Sequence, residues 1–270
     1  MKPVRIVRGR RGWSFVVIVA AVLAMVGGCA RTPEPGQDSG APAGTGVLRV
    51  CSTGDYRPFT YRAADGTWSG YDVDAAGDLA RDLGRRLELV PTTWKTLVDD
   101  VGARCDMAMG GISVSADRAK RAHFTTSYLT DGKAAIARCA EATRFHDLDD
   151  VDQPGVRVIV NPGGGNAAFD EAHLHRASVV PWPDNDTIFD RLAAGGADVM
   201  ITDVSEIRWQ STQNPQLCGV SLDHPFTTEQ KAYLLPMGSD DLLHRTDRWL
   251  EVALHDGTYA ALSQKYFGGR

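Results

Sequence analysis

The sequence lacks an apolar run long enough to span a membrane. Its one sustained stretch, Phe15 to Val26, has twelve apolar residues, whereas a bilayer-crossing helix needs about 20. It also lacks a surplus of positive charge, with 29 Lys and Arg against 34 Asp and Glu in 270 residues. Five basic residues (Lys2, Arg5, Arg8, Arg10, Arg11) crowd into the first 28 positions, where no acidic residue stands. Without that segment the net charge falls from −5 to −10. Phosphate binding needs a basic footprint, so nucleic acid is excluded as a partner. Cysteine is scarce, five in all, which excludes a disulfide-dense miniprotein. None has C-x-x-C spacing, so no metal site is expected. The seven His are scattered, and His173 and His175, two apart, cannot share a helix face. No Ser/His/Asp order or phosphate-binding lysine motif appears, and no cofactor is expected. What is present is ordinary globular composition, 43% hydrophobic and 23% charged, in a chain long enough for one large or two modest cores.

The N-terminus reads as an address. A basic segment, a short apolar run and Gly27-Gly28-Cys29 describe an export signal over residues 1–28. The small-small-Cys ending resembles a bacterial lipoprotein box, which makes Cys29 the lipidated first residue of the mature chain. The alternative is a plain signal peptide with an incidental Cys. Residues 29–46 follow as a Pro/Gly-rich spacer with no apolar period. The expected location is extracytoplasmic, held to the membrane by acyl chains. Export agrees with the remaining four cysteines, Cys51, Cys105, Cys139 and Cys218, an even number that suits disulfides. Three connectivities are open. Cys51–Cys105 and Cys139–Cys218 are favoured because each pair falls within one expected lobe.

From Val47 onward short apolar strands alternate with helical segments. Strand Val47 to Cys51 leads to a helix from Asp72 to Leu83, with Gly84 placed to stop it. Strand Leu87 to Val90, a helix from Trp94 to Val101 and strand Asp106 to Met109 follow. This alternation predicts an α/β fold with mostly parallel sheets. The cadence returns: Pro91 and Pro181 are 90 apart, and Asp106 and Asp198 are 92 apart. Two similar lobes are expected, with a ligand in the cleft beyond the carboxyl ends of the strands. Lys231 to Pro236 reads as a strand, followed by an amphipathic helix from Asp240 to His255 and a shorter terminal helix. The expected layout is a first lobe from 47–134 plus 232–270 and a second over 135–231. Two crossings join them, near Gly132 to Ile136 and near Glu229 to Ala232.

Three clusters offer binding chemistry. Gly54 to Phe59, after the first strand, presents the carboxylate of Asp55 and the ring of Tyr56. In Gly110 to Arg118, Gly111 permits close approach to the backbone and Ser113 adds a hydroxyl. Ser115 is a candidate N-cap, and Arg118 can clasp a carboxylate in a two-pronged pair. Asn161 to Ala167 opens a helix with Gly164, Gly165 and Asn166, whose free N–H groups favour an anion. Gly163, Gly165 and Ala168 also fit a G-x-G-x-x-A nucleotide pattern, a reading disfavoured outside the cytoplasm. Asp203, after strand Ala197 to Ile201, can meet an ammonium or simply cap the next helix. Trp94 can wall a pocket or fill the core. Arg118 and the glycine loop for a carboxylate, with Asp55 and Asp203 for an ammonium, make a site for a small zwitterion.

At these residues the chain resembles the family 3 extracytoplasmic solute-binding proteins, amino-acid receptors of ABC importers. Gly70-Tyr71-Asp72-Val73-Asp74 is similar to that family's signature, and the likeness runs from Val47 to Phe267. It implies two α/β lobes of the periplasmic-binding-protein type II fold that close on a ligand. It also implies an ABC permease as partner, and pocket roles for Asp55, Tyr56, Trp94, Gly111, Ser113, Arg118, Gly164, Gly165, Asn166 and Asp203. A narrower likeness lies in Thr53 to Tyr56, Pro91 to Trp94, Met109 to Ser113, Asp131-Gly132-Lys133, Asn161 to Gly164, Asp186 to Phe189 and Lys231 to Pro236. These resemble cyclohexadienyl dehydratases, which share the receptor fold and act on prephenate or arogenate. Cys139 and Cys218 also look like cysteines of that group. Where its glycine loop runs on to a general-acid Glu, this chain has Ala167. A methyl group cannot protonate a departing hydroxyl. The expectation is therefore a lipid-anchored receptor for an amino acid or related small carboxylate, with a dehydratase on the same fold as the alternative.

Overall fold

The computed structural model describes residues 46–268. The expected export signal, lipidated Cys29 and spacer lie outside the described residues, Gly46 excepted. Two five-stranded sheets form the framework. In the first the order is Arg86–Pro91, Val47–Ser52, Met107–Ala108, Leu234–Pro236, Ala122–Phe124; in the second it is Ser178–Pro181, Arg157–Val160, Val199–Asp203, Lys133–Arg138, Leu217–Val220. Each sheet has three parallel strands and then an antiparallel one supplied by a crossing segment. The sequence echo is therefore real at the level of hydrogen bonds. Asp106 takes the backbone N–H and guanidinium of Arg49 at 2.9 and 2.8 Å. Asp198 takes those of Arg157 at 2.8 and 2.7 Å.

Strand alternation sorts side chains onto two faces. In the first sheet Leu48, Val50, Met107, Met109 and Leu235 face one core, with helices Tyr71–Asp82, Asp240–Ala253 and Thr258–Phe267 packed on it. Cys51, Ala108 and Leu234 face the other, with Leu97 and Ile112. The second sheet splits in the same way. Ala135, Ala137, Val199 and Ile201 pack against Phe169 and Leu174. Ala134, Ile136 and Met200 pack against Ile188, Leu192 and Ile207. Both sheets are covered on both sides, as parallel sheets require. Each fully buried Leu or Ile stabilises the fold by roughly 1.5–3 kcal/mol.

Several boundaries differ from the sequence expectation. The helix expected from Asp72 to Leu83 runs Tyr71–Asp82 and is stopped by Gly84, whose left-handed φ of 64° lets Arg85 N–H reach the Ala80 carbonyl at 2.8 Å. The helix expected from Trp94 shrinks to Leu97–Asp100. Thr92 and Thr96 hydroxyls donate to Asp100 at 2.5 and 3.1 Å, side-chain bonds that hold this segment as turns. The strand expected over Lys231 to Pro236 is two pieces. Leu234–Pro236 joins the first sheet, while Glu229–Lys231 pairs with Leu129–Asp131 in a two-stranded ladder where the chain passes between sheets. Both favoured disulfides are present, Cys51–Cys105 and Cys139–Cys218.

Candidate ligand-binding site

A cavity of about 30 Å³ lies between the two sheets. The first-sheet side supplies Tyr56, Trp94, Gly111, Ser113 and Arg118; the second supplies Lys133, Asn161, Gly164, Gly165, Asn166, Asn185 and Asp203. Most stand just beyond strand ends, where open α/β sheets present ligands.

Local structure positions each one. Tyr56 meets Trp94 edge-on at 5.4 Å and stacks on Phe59 at 5.3 Å. Gly111 is required by those rings: its φ is 63°, and a Cβ there would stand 2.5 Å from Tyr56 and 2.7 Å from Phe59. Its N–H donates to Asp72 at 2.6 Å, and the same carboxylate accepts from Tyr128 and Tyr233 at 2.7 and 3.0 Å. Ser115 caps the short helix Ala116–Ala119 by accepting from Arg118 N–H at 3.3 Å. That places the Arg118 guanidinium to donate to the Ser113 carbonyl at 2.9 Å. Burial lowers the Arg118 pKa against the pull of Asp203 and Glu229, and among the described residues it forms no ion pair. Opposite, Gly164 caps the helix Gly165–His173. A Cβ on Gly164 would sit 3.4 Å from the Trp94 ring, so glycine lets the two sides approach.

Asp203 is the electrostatic centre. It is 3% exposed. Lys133 donates to one of its oxygens at 2.7 Å, and Lys231 donates to the other at 2.5 Å, where Tyr56 hydroxyl also donates. Burial pushes the Asp203 carboxyl up, but the two lysines outweigh it and hold it far below the usual carboxylate range. Asp203 occupies the cap position of helix Val204–Gln213 without making a side-chain cap bond. Around it a chain of donors runs from Lys133 to Asn166 at 2.6 Å, from Asn166 to Thr202 at 2.9 Å and from Thr202 to Glu206 at 2.6 Å. Burial raises Glu206 to about 8, so this end of the network holds a proton at neutral pH. Lys133 also pairs with Glu229 at 3.8 Å, so Lys133 and Lys231 are held by carboxylates of the cluster while Arg118 stands in the wall without an ion pair among the described residues.

Residues 48–269 match the profile of the bacterial extracellular solute-binding proteins, family 3. The chain belongs to that family. It is 47% identical over 215 residues to a cyclohexadienyl dehydratase of Pseudomonas aeruginosa, covering 79% of this chain and 80% of that one. It is 27% identical over 225 residues to the L-cystine-binding protein TcyJ of Escherichia coli K12, covering 83% of each. Among solved structures it is similar to the ancestral amino acid-binding protein AncCDT-1, a precursor of cyclohexadienyl dehydratase. That match has a TM-score of 0.76 and 29% identity, and covers 82% of this chain and 96% of that one. These neighbours share the two-lobed type II architecture. Among the described residues no helix is long and apolar enough to cross a membrane.

Of the ten residues singled out from the sequence of this family member, nine line the cavity. Asp55 lies outside the lining: in the strand Asp55–Tyr56 successive side chains alternate, and Tyr56 takes the inward place. Its backbone carbonyl instead accepts from Asn185 across the cleft at 2.9 Å. Trp94 plays both parts left open for it, packing on the core and walling the cavity. The nucleotide pattern has another explanation, since a Cβ on Gly163 would stand 3.0 Å from Lys95 of the facing side. Lys133, Lys231, Asn161 and Asn185 were not among those ten. The lysines did leave a signal: each heads an apolar run, Ala134 to Ala137 and Ala232 to Leu235, where a lysine is rare unless buried and paired. Asn161 stands directly after a strand end. Asn185 lies in a loop with no pattern to betray it.

Proposed function

We propose that this chain is an extracytoplasmic solute-binding protein, anchored through lipidated Cys29, that captures a small carboxylate such as an amino acid or a related acid for an ABC permease. The observation that carries this reading is Arg118, a guanidinium in the cavity wall with no carboxylate partner among the described residues. A ligand carboxylate supplies that partner, and Asn166 and the N–H groups opening the helix at Gly165 add donors. The ammonium of an amino acid is less well served. Asp203 is already engaged by two lysines and Tyr56, so the reading favours ligands whose net charge is negative. Binding drives lobe closure only through contacts made better in the closed state.

The second reading is a cyclohexadienyl dehydratase, favoured by the 47% identity to one. Ala167 weighs against it, since the general acid of that enzyme group has no counterpart in the cavity wall.

Titration calorimetry of the purified protein against the amino acids, phenylpyruvate, L-glutamate and prephenate tests the first reading. Saturable 1:1 binding of an acid is expected, and failure of folded protein to bind any of them overturns it. Incubation with prephenate or arogenate, followed by detection of phenylpyruvate or phenylalanine, tests the second. Turnover that disappears in Arg118→Ala would displace the receptor reading.

A further inference from the structure

Lys231 ends the crossing strand Glu229–Lys231 and is fully buried. Its backbone is fixed on two sides: it forms a β-bridge with Ser113, and its carbonyl accepts from Tyr128 N–H at 3.0 Å. Its side-chain nitrogen donates to the Asp203 carboxylate at 2.5 Å and to the Ser113 hydroxyl at 2.8 Å. The same nitrogen stands 5.8 and 5.9 Å from the ring centres of Tyr56 and Phe59, close enough for the rings to attract a cation. A carboxylate, a hydroxyl and two aromatic rings around one point make a site for an ammonium group. Asp203, Ser113 and Tyr56 of this set also line the cavity, whereas Lys231 is outside the lining. Asp203 is the only acidic residue among the described lining residues. Its other oxygen accepts from Lys133, and Asp131 nearby is spent on Ser205 and the Gly132 N–H. The amino group of a ligand would meet Arg118 and Lys133 in the wall with no free carboxylate to offset them.

We propose that Lys231 is a specificity-determining residue: it fills from within the place that an amino acid's ammonium would take, so the cavity selects carboxylic acids without an α-ammonium, such as 2-oxo acids. This deepens the carboxylate reading above and rests on it. A 2-oxo acid carries an uncharged acceptor beside its carboxylate. An amino acid carries a charged donor there, which must displace Lys231 or stay unpaired.

The test uses the full-length protein and Lys231→Ala, with circular dichroism to confirm the fold of each. Calorimetry compares matched pairs: phenylpyruvate with L-phenylalanine, 2-oxoglutarate with L-glutamate, and prephenate with arogenate. In any pair it accepts, the parent should bind the acid without the amino group about tenfold or more tightly, because an unpaired buried ammonium is costly. Equal affinity, or preference for the amino acid, overturns the proposal and leaves the carboxylate reading standing. This comparison decides alone if Lys231→Ala does not fold. In the folded variant the ratio should move about tenfold toward the amino acid, whose ammonium can then pair with Asp203; an unmoved ratio overturns the proposal. Propylammonium, the piece of side chain that the substitution removes, should raise the unfolding temperature of Lys231→Ala and leave that of the parent unchanged. No such rise overturns the proposal, since a merely structural lysine leaves no ammonium site behind. That readout needs no acid. Rescue by propylammonium with no acid bound by either protein overturns the carboxylate reading, and the specificity role falls with it.

Discussion

Arg118 and Asp203 bring opposite charges to one cavity but stand in different circumstances. Arg118 leans on a single backbone carbonyl, while Asp203 sits among Lys133, Lys231 and Tyr56. Their substitutions should therefore fail in different ways. Arg118→Lys keeps the charge and loses the planar fork, so carboxylate affinity should drop at least tenfold by calorimetry with urea stability nearly unchanged. Asp203→Asn strands two buried lysines and should cost about 3–5 kcal/mol in urea unfolding. The residues that face the cavity from strand ends and glycine turns were legible because those places announce themselves in sequence. The two lysines were less legible because their role depends on a carboxylate that lies 70 and 28 positions away. No local pattern joins partners so separated. The same distance hid the engagement of Asp203, whose sequence surroundings fit a helix cap as well as a ligand contact.

At the scale of elements, the repeated strand-helix-strand unit could be read because Pro91 and Pro181 close equivalent strands and Asp106 and Asp198 tie equivalent neighbours. The short pieces could not. Leu97–Asp100 and Glu229–Lys231 owe their limits to threonine hydroxyls and to a ladder formed with distant Leu129–Asp131. Both disulfides reinforce the repeated unit. Cys51–Cys105 ties the first strand to the turn before Met107–Ala108, and Cys139–Cys218 joins two antiparallel neighbours. Sequence separations of 54 and 79 residues differ by only about 0.3 kcal/mol in loop-closure entropy. Removing either pair by double Ala substitution should thus cost a similar amount, about 2–5 kcal/mol in urea denaturation. A much larger loss from one pair would show that its contribution is packing, as the buried setting of Cys51 and Cys105 would favour, rather than chain entropy.

For the molecule as a whole, the buried carboxyls set how stability varies with pH. Burial raises Asp72 to about 6, Asp170 to about 7 and Glu206 to about 8. In the unfolded chain such groups ionise near pH 4. Between pH 4 and 8 the folded protein therefore holds more protons than the unfolded one, and stability must fall as pH rises through that window. Asp203 and Asp152 act oppositely. Asp203 is held low by its lysines against burial. Asp152 is brought to about 2, against burial, by the N–H groups of Ala177, Arg176 and His175. Their stabilisation is present above pH 4 and lost on acidification below it. The two trends place maximal stability near pH 4–5, on the acid side of the common range. Urea unfolding at pH 4.5, 6 and 8 should show a steady decline in stability across the series. Asp72→Asn, Asp170→Asn and Glu206→Gln should each flatten it over the interval of the group removed, lowest in pH for Asp72 and highest for Glu206. A parent protein whose stability climbs steadily to pH 8 would mean that these three carboxyls ionise in the fold as readily as in water.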